Sequence, residues 1–157
     1  MKAGAAWEFE VERWNRQYLI QGQAVVFRCH PGVKVVEARI IWDSRGPPDF
    51  VGFLAGCTPV AFDCKEISSP RFPFGDLPHH QADAFEWVLQ GGGVPFILVS
   101  RLPKAGGGKF FLPWVDIRDR YGSWRTMGGG ARGASVVLDE FRRIDERGWL
   151  PLVTPPV

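Results

Sequence analysis

Two aspartates and a lysine carry the chemical signal of this chain. Asp49 follows the turn Arg45-Gly46-Pro47-Pro48, and Asp63-Cys64-Lys65 lies inside Val60 to Ile67, an apolar stretch that reads as a strand. Alternation along that strand sends Asp63 and Lys65 to one face and Phe62 and Cys64 to the other, into a core. Two carboxylates and an ammonium converging beside a sheet are costly to hold without a cation between the acids. A hard divalent ion, Mg²⁺ or Mn²⁺, matches, because it prefers oxygen ligands in octahedral geometry. The spacing alone is weak. In most soluble domains the same residues are a turn-capping aspartate and a solvated strand face.

The elements that must position these groups follow from periodicity. Trp7, Val11, Trp14 and Tyr18 form one apolar stripe, which predicts a first helix ended by Gly22. Glu8, Glu12 and Asn15 form a polar stripe beside it. Ala24 to Cys29 reads as a strand, and Val33 to Trp42 as one long strand, part of a protruding stalk around 31–48. Phe50 to Ala55 and Val60 to Ile67 are strands around a turn, followed by a loop from Ser68 to Phe72-Pro73. Pro78 to Leu89 reads as a helix with Phe85, Val88 and Leu89 inward. Val94 to Leu102 is the most apolar strand and the expected sheet centre, and Lys109 to Trp114 is another strand. A last helix is expected from Ser135 to Arg147, with Val136, Val137, Phe141 and Ile144 inward. This order gives an α/β sandwich around a mixed sheet, in a single domain over 1–157.

Composition narrows the class. A chain of 157 residues with 45% apolar content buries enough surface to fold without disulfides. No apolar run approaches the roughly 20 residues of a membrane helix, and the first six residues are too short and too little apolar for a signal peptide. Cys29, Cys57 and Cys64 lack C-x-x-C spacing, so reduced thiols and a cytoplasmic location are expected. With His30 they also lack the close ligand pairs that zinc favours. A net charge of +2 permits nucleic-acid binding only if basic residues segregate on one face. Gly128 to Gly133 fits G-x-G-x-x-G, but no strand precedes it, and Gly106-Gly107-Gly108-Lys109 lacks the Ser/Thr and helix of a phosphate loop.

Proline-aspartate followed by aspartate-x-lysine is the pattern of the PD-(D/E)XK nucleases, and the whole chain resembles the RecU-type Holliday junction resolvases. The resemblance is carried by Glu8, Asn15 and Tyr18, by Gln21-Gly22-x-Ala24-Val25-Val26, and by Asp49-Phe50-x-Gly52. It continues through Phe62-Asp63-x-Lys65-Glu66, Phe72-Pro73-Phe74, His80-Gln81, Gly93-x-x-Phe96 and Phe110-Phe111-Leu112-Pro113, in the same order over roughly residues 7 to 151. It implies a restriction-endonuclease-like mixed β-sheet flanked by helices, and a homodimer that resolves four-way DNA junctions with Mg²⁺ or Mn²⁺. Paired symmetric nicks leaving 5′-phosphate and 3′-hydroxyl ends would follow.

By the same resemblance Asp49 and Asp63 would ligate the metal, with the Cys64 carbonyl as a third ligand and Glu8 completing the shell directly or through water. Lys65 would orient or activate the attacking water, and Gln81 would hold that water or a phosphate. Arg13, Arg16, Arg28, Lys34, Arg39, Arg45, Arg71, Lys104 and Lys109 are candidate phosphate contacts. Three departures stand out: Pro47-Pro48 replaces a Ser/Thr-rich stretch, Asp63 replaces a glutamate, and the segment between Pro31 and Asp49 is short. These keep two alternatives open: a nuclease for another branched or duplex DNA, and a non-catalytic junction-binding protein.

Overall fold

The stripe Trp7, Val11, Trp14, Tyr18 is buried along α1 (Ala5–Ile20), as its spacing predicts. The computed structural model describes residues 4–30, 33–37, 39–42, 46–129 and 134–153. Against α1 lies a sheet built from β1 (Ala24–Arg28), β4 (Phe50–Leu54), β5 (Pro59–Ile67), β7 (Val94–Arg101), β8 (Lys109–Pro113) and β10 (Arg142–Arg143), in that spatial order. Only β5 and β7 pair in parallel; the remaining neighbours are antiparallel. The crossover between the parallel strands is α2 (His79–Gln90), as such a connection requires.

Alternation along the strands divides the apolar residues between two cores. Phe62, Cys64, Phe96 and Leu98 join α1 on one face, with Trp149 and Leu150 from the C-terminal segment that ends in α4 (Leu150–Val153). Ala61, Ile67, Ile97 and Val99 join α2 and α3 (Trp114–Thr126) on the other. The mixed sheet flanked by helices is the architecture expected from the sequence. Among the described residues no helix is long and apolar enough to cross a membrane.

Four local expectations fail. The segment from Ser135 to Arg147 is not a helix: it forms β9 (Ser135–Val137), a 3-10 turn (Leu138–Glu140) and β10. Val136 and Leu138 both enter the α2/α3 core, a period of two, while Ile144 enters the other core; β-branched residues at that period favour a strand. The partner of β9 is β6 (Arg71–Pro73), within a stretch expected to be all loop. Val33 to Trp42 is a hairpin of β2 (Val33–Val36) and β3 (Arg39–Trp42), which pairs Val36 with Arg39 across a turn where Glu37 has φ 49°. Finally, α3 went unread. Only Trp114, Ile117 and Tyr121 are buried on it, among many charges and beside Gly122, too sparse a stripe to signal a helix. Its charged face instead docks on α2, through Arg118–Glu86 at 2.7 Å and Arg125–Asp83 at 2.6 Å.

Candidate functional site

The β4–β5 ladder ends at the pair Phe50–Phe62, and the next residues on each strand are the two aspartates. Each carboxylate takes over the ladder on the other strand. The Asp49 N–H donates to Asp63 Oδ1 at 2.9 Å, and the Cys64 N–H donates to Asp49 Oδ2 at 2.9 Å. A strand residue turns its N–H and C=O to the same side, so the Cys64 carbonyl shares the edge that Asp49 faces. The side chains thus converge because backbone donors at the end of a splaying ladder need acceptors.

Asp63 is fully buried, and no hydrogen bond ends on its Oδ2. The Lys65 ammonium stands 3.2 Å from that oxygen as a charge partner and donates to Gln81 Oε1 at 3.3 Å. Burial, opposed by Lys65 and reinforced by Asp49, pushes the Asp63 carboxyl up to about 6. Gln81 is buried on the inner face of α2, and Glu66 is exposed. His79 and His80 open α2. The structure therefore brings together Asp49, Asp63, Lys65 and Gln81.

Glu8 lies across the sheet, on the α1 side. Its carboxylate and that of Glu12, one helical turn on, are bridged by Arg28 of β1: Nη2 pairs with Glu8 and Nη1 with Glu12 at 2.9 Å. The Arg28 guanidinium is held above the ordinary arginine range: partial burial works against it, and the Glu12 hydrogen bond and the charges of Glu8, Glu12 and Asp49 outweigh that. Burial, followed by the charges of Asp49, Asp63 and Glu8, raises the Cys64 thiol well above its usual value. Glu8 is thus electrically close to the aspartate pair yet tied to another partner. Sequence placed Arg28 among phosphate contacts; its place on the same β1 face as Ala24, looking onto α1, was the signal for the ion pair.

Two carboxylates, one with a buried unbonded oxygen, and a strand carbonyl fit a hard cation that keeps much of its water shell, as Mg²⁺ does. Among the described residues no three His, Cys, Asp or Glu side chains gather closely enough to hold a metal by themselves. A zinc set from Cys29, His30, Cys57 and Cys64 is not assembled: Cys57 is exposed in the β4–β5 turn, and Cys64 is buried toward α1.

Among the described side chains, the candidate phosphate contacts are spread over α1, β1, β6 and the segment from Lys104 to Lys109. Arg13 and Arg16 are exposed on α1, while Arg71 is on β6, on the α2/α3 side, donating from Nε to Ser135 Oγ at 2.8 Å. Lys104 is exposed, and Lys109 is bound to Glu10 at 2.5 Å. Lys34 and Arg39 lie on the β2–β3 hairpin, and Arg45 lies outside the described residues, as do residues 130–133 of the glycine motif. Asn15 is not a surface residue: it is buried, and its Oδ1 accepts the Trp149 indole N–H at 3.0 Å.

Comparison with known proteins gives a consistent picture. The family profile described as "Recombination protein U" matches residues 2–128. A "Holliday junction resolvase RecU" of Latilactobacillus sakei is 26% identical over 114 residues, covering 65% of this chain and 54% of the relative. One from Bacillus pumilus is 26% identical over 126 residues, 73% of this chain and 59% of the relative. A third, from Limosilactobacillus fermentum, is 26% identical over 175 aligned positions, 92% and 80%. The chain thus spans little more than half the length of the first two. The solved structure of Archaeoglobus fulgidus Hjc, a Holliday junction resolvase, is 20% identical with a TM-score of 0.38, over 65% of this chain and 75% of that one.

Proposed function

The chain belongs to the Recombination protein U family, and from that premise we propose that it is a Mg²⁺- or Mn²⁺-dependent endonuclease that resolves four-way DNA junctions. The observation that carries the reading is the reciprocal capping of Asp49 and Asp63, which leaves Asp63 Oδ2 buried beside Lys65. The relatives' printed names supply the substrate class.

Asp49, Asp63 and the Cys64 carbonyl would hold the ion, and Glu8, tied to Arg28, would reach it through water. A bound Mg²⁺ or Mn²⁺ would polarise the scissile phosphate and lower the pKa of water. The Lys65 ammonium, held by Gln81, would orient the attacking water and offset charge building on the phosphoryl oxygens. Water attacks phosphorus in line and the bond to the 3′ oxygen breaks, giving 5′-phosphate and 3′-hydroxyl ends. A homodimer suits the substrate, since two sites related by a two-fold axis make paired nicks across a junction. Such an enzyme would work on DNA in the cytoplasm.

A second reading is a nuclease for another branched or duplex DNA. It is favoured by the length of the hairpin: β2 and β3 have four residues each. At 3.3 Å per residue that reaches only about 13 Å, a short probe for a junction centre. A labelled synthetic junction, a flap and a linear duplex, each with Mg²⁺, separate the readings. Symmetric junction nicks, reduced at least roughly a hundredfold in Asp63→Asn with binding retained, are the expected result. Equal nicking of linear duplex removes junction selectivity, and binding without cleavage in either metal removes the enzyme.

A further inference from the structure

The Arg28 side chain does something that phosphate binding does not explain. Glu8 and Glu12 are four apart on α1, so their charges face each other across one helical turn and repel. The planar guanidinium of Arg28 forks between them, one nitrogen to each carboxylate. All three side chains lie on the α1 side of the sheet, whereas Asp63 faces Lys65 and Gln81 on the α2 side. Asp49 sits between, at the end of the ladder.

We infer that Arg28 is a positioning residue that latches Glu8 away from the aspartate pair and so keeps that acid out of the metal's inner shell. The inference rests on the metal-binding reading proposed above. Two observations support it. Arg28 is the ladder partner of Phe50, the neighbour of Asp49, and the Cys29 N–H beside it donates to the Asp49 carbonyl at 2.7 Å, so the Glu8 carboxylate that Arg28 holds lies beside the aspartate pair. Yet no three acidic side chains come together at the site among the described residues. The acid is in range and is held back by a salt bridge that only the tertiary structure makes.

Removing the latch frees a third carboxylate and removes a positive charge beside the acids. Both changes favour a divalent cation. Charge removal alone acts whether or not Glu8 can ionise, and latch release needs Glu8. That difference separates the latch from simple electrostatics.

The test is calorimetric titration of MnCl₂ into the metal-stripped full chain, without DNA, for wild type, Arg28→Gln, Arg28→Lys, Glu8→Gln and the double variant Glu8→Gln/Arg28→Gln. Circular dichroism melts check that each variant folds; all these positions are on the surface of α1 or β1. Arg28→Gln is expected to bind Mn²⁺ about threefold to tenfold tighter than wild type. Arg28→Lys, a point charge that cannot fork between two carboxylates, is expected to fall between them. In the Glu8→Gln background, Arg28→Gln is expected to change affinity by less than about twofold. Unchanged or weaker binding by Arg28→Gln overturns the latch, as does a gain that persists in full when Glu8 is neutral. No Mn²⁺ binding by wild type overturns the metal reading itself, and the latch with it.

Discussion

Asp63 pairs an unfavourable environment with a proposed metal-binding role that needs its charge. Its carboxyl is buried and titrates near 6, against 3.8 for an ordinary aspartate. A folded chain that holds this proton to higher pH than the unfolded chain is stabilised below the unfolded value and loses that stability as pH rises through the folded one. The stability of wild type relative to Asp63→Asn should therefore decline between about pH 4 and pH 6, by on the order of 2–3 kcal/mol. Urea unfolding at a series of pH values, with both proteins metal-free, measures this. A flat difference would mean that Asp63 is not desolvated. Mg²⁺ should restore wild-type stability above pH 6, where the ionised carboxylate can bind it, and do less below. Lys65 supplies only part of the compensation, since Gln81 shares its ammonium.

The element that holds α1 in register with the sheet is the short C-terminal segment. Tyr18 donates its hydroxyl hydrogen to the Arg147 carbonyl at 2.6 Å, and the same oxygen accepts the Leu150 N–H at 3.2 Å. Trp149, fully buried, packs on Phe62 and Phe96 and donates to Asn15. Gly148 makes the approach feasible. It has φ +81°, and a Cβ there would meet Tyr18 Oη at 2.2 Å and the Trp14 ring at 2.7 Å. Gly148→Ala is expected to cost about 2–4 kcal/mol in urea unfolding, through strain and overpacking together. A stability loss under about 0.5 kcal/mol would show that the segment docks loosely.

At the scale of the whole molecule, the site lies where β4 and β5 part, between the face that carries α1 and the face that carries α2 and α3. Exposed arginines stand on both sides of it, Arg13 and Arg16 on α1 and Arg71 on β6. DNA that met both sets while reaching the aspartates would straddle the sheet end. A two-fold substrate calls for two such sites. Sedimentation velocity is expected to give twice the monomer mass, and titration with a synthetic junction two chains per four-way DNA. One chain per junction, with single unpaired nicks, would count against the paired mechanism.

Features with a local signal are legible in the amino-acid order. The α1 stripe, the alternation that puts Asp63 and Lys65 on one face, and the apolar run of β7 each follow from a period that few residues can satisfy in another way. The spacing of Asp49 and Asp63 likewise named the candidate site. The remaining features depend on partners distant in the chain. β9 is a strand because β6, over sixty positions earlier, offers an edge to pair with. α3 is a helix because Trp114, Ile117 and Tyr121 find a core built by residues far from them in the chain. Asn15 is buried because the Trp149 indole needs an acceptor, and Arg28 is ion-paired because the fold sets two glutamates of α1 opposite it. Local periodicity fixes which way a side chain points; the energy of a buried hydrogen bond or ion pair depends on which group the fold brings to meet it.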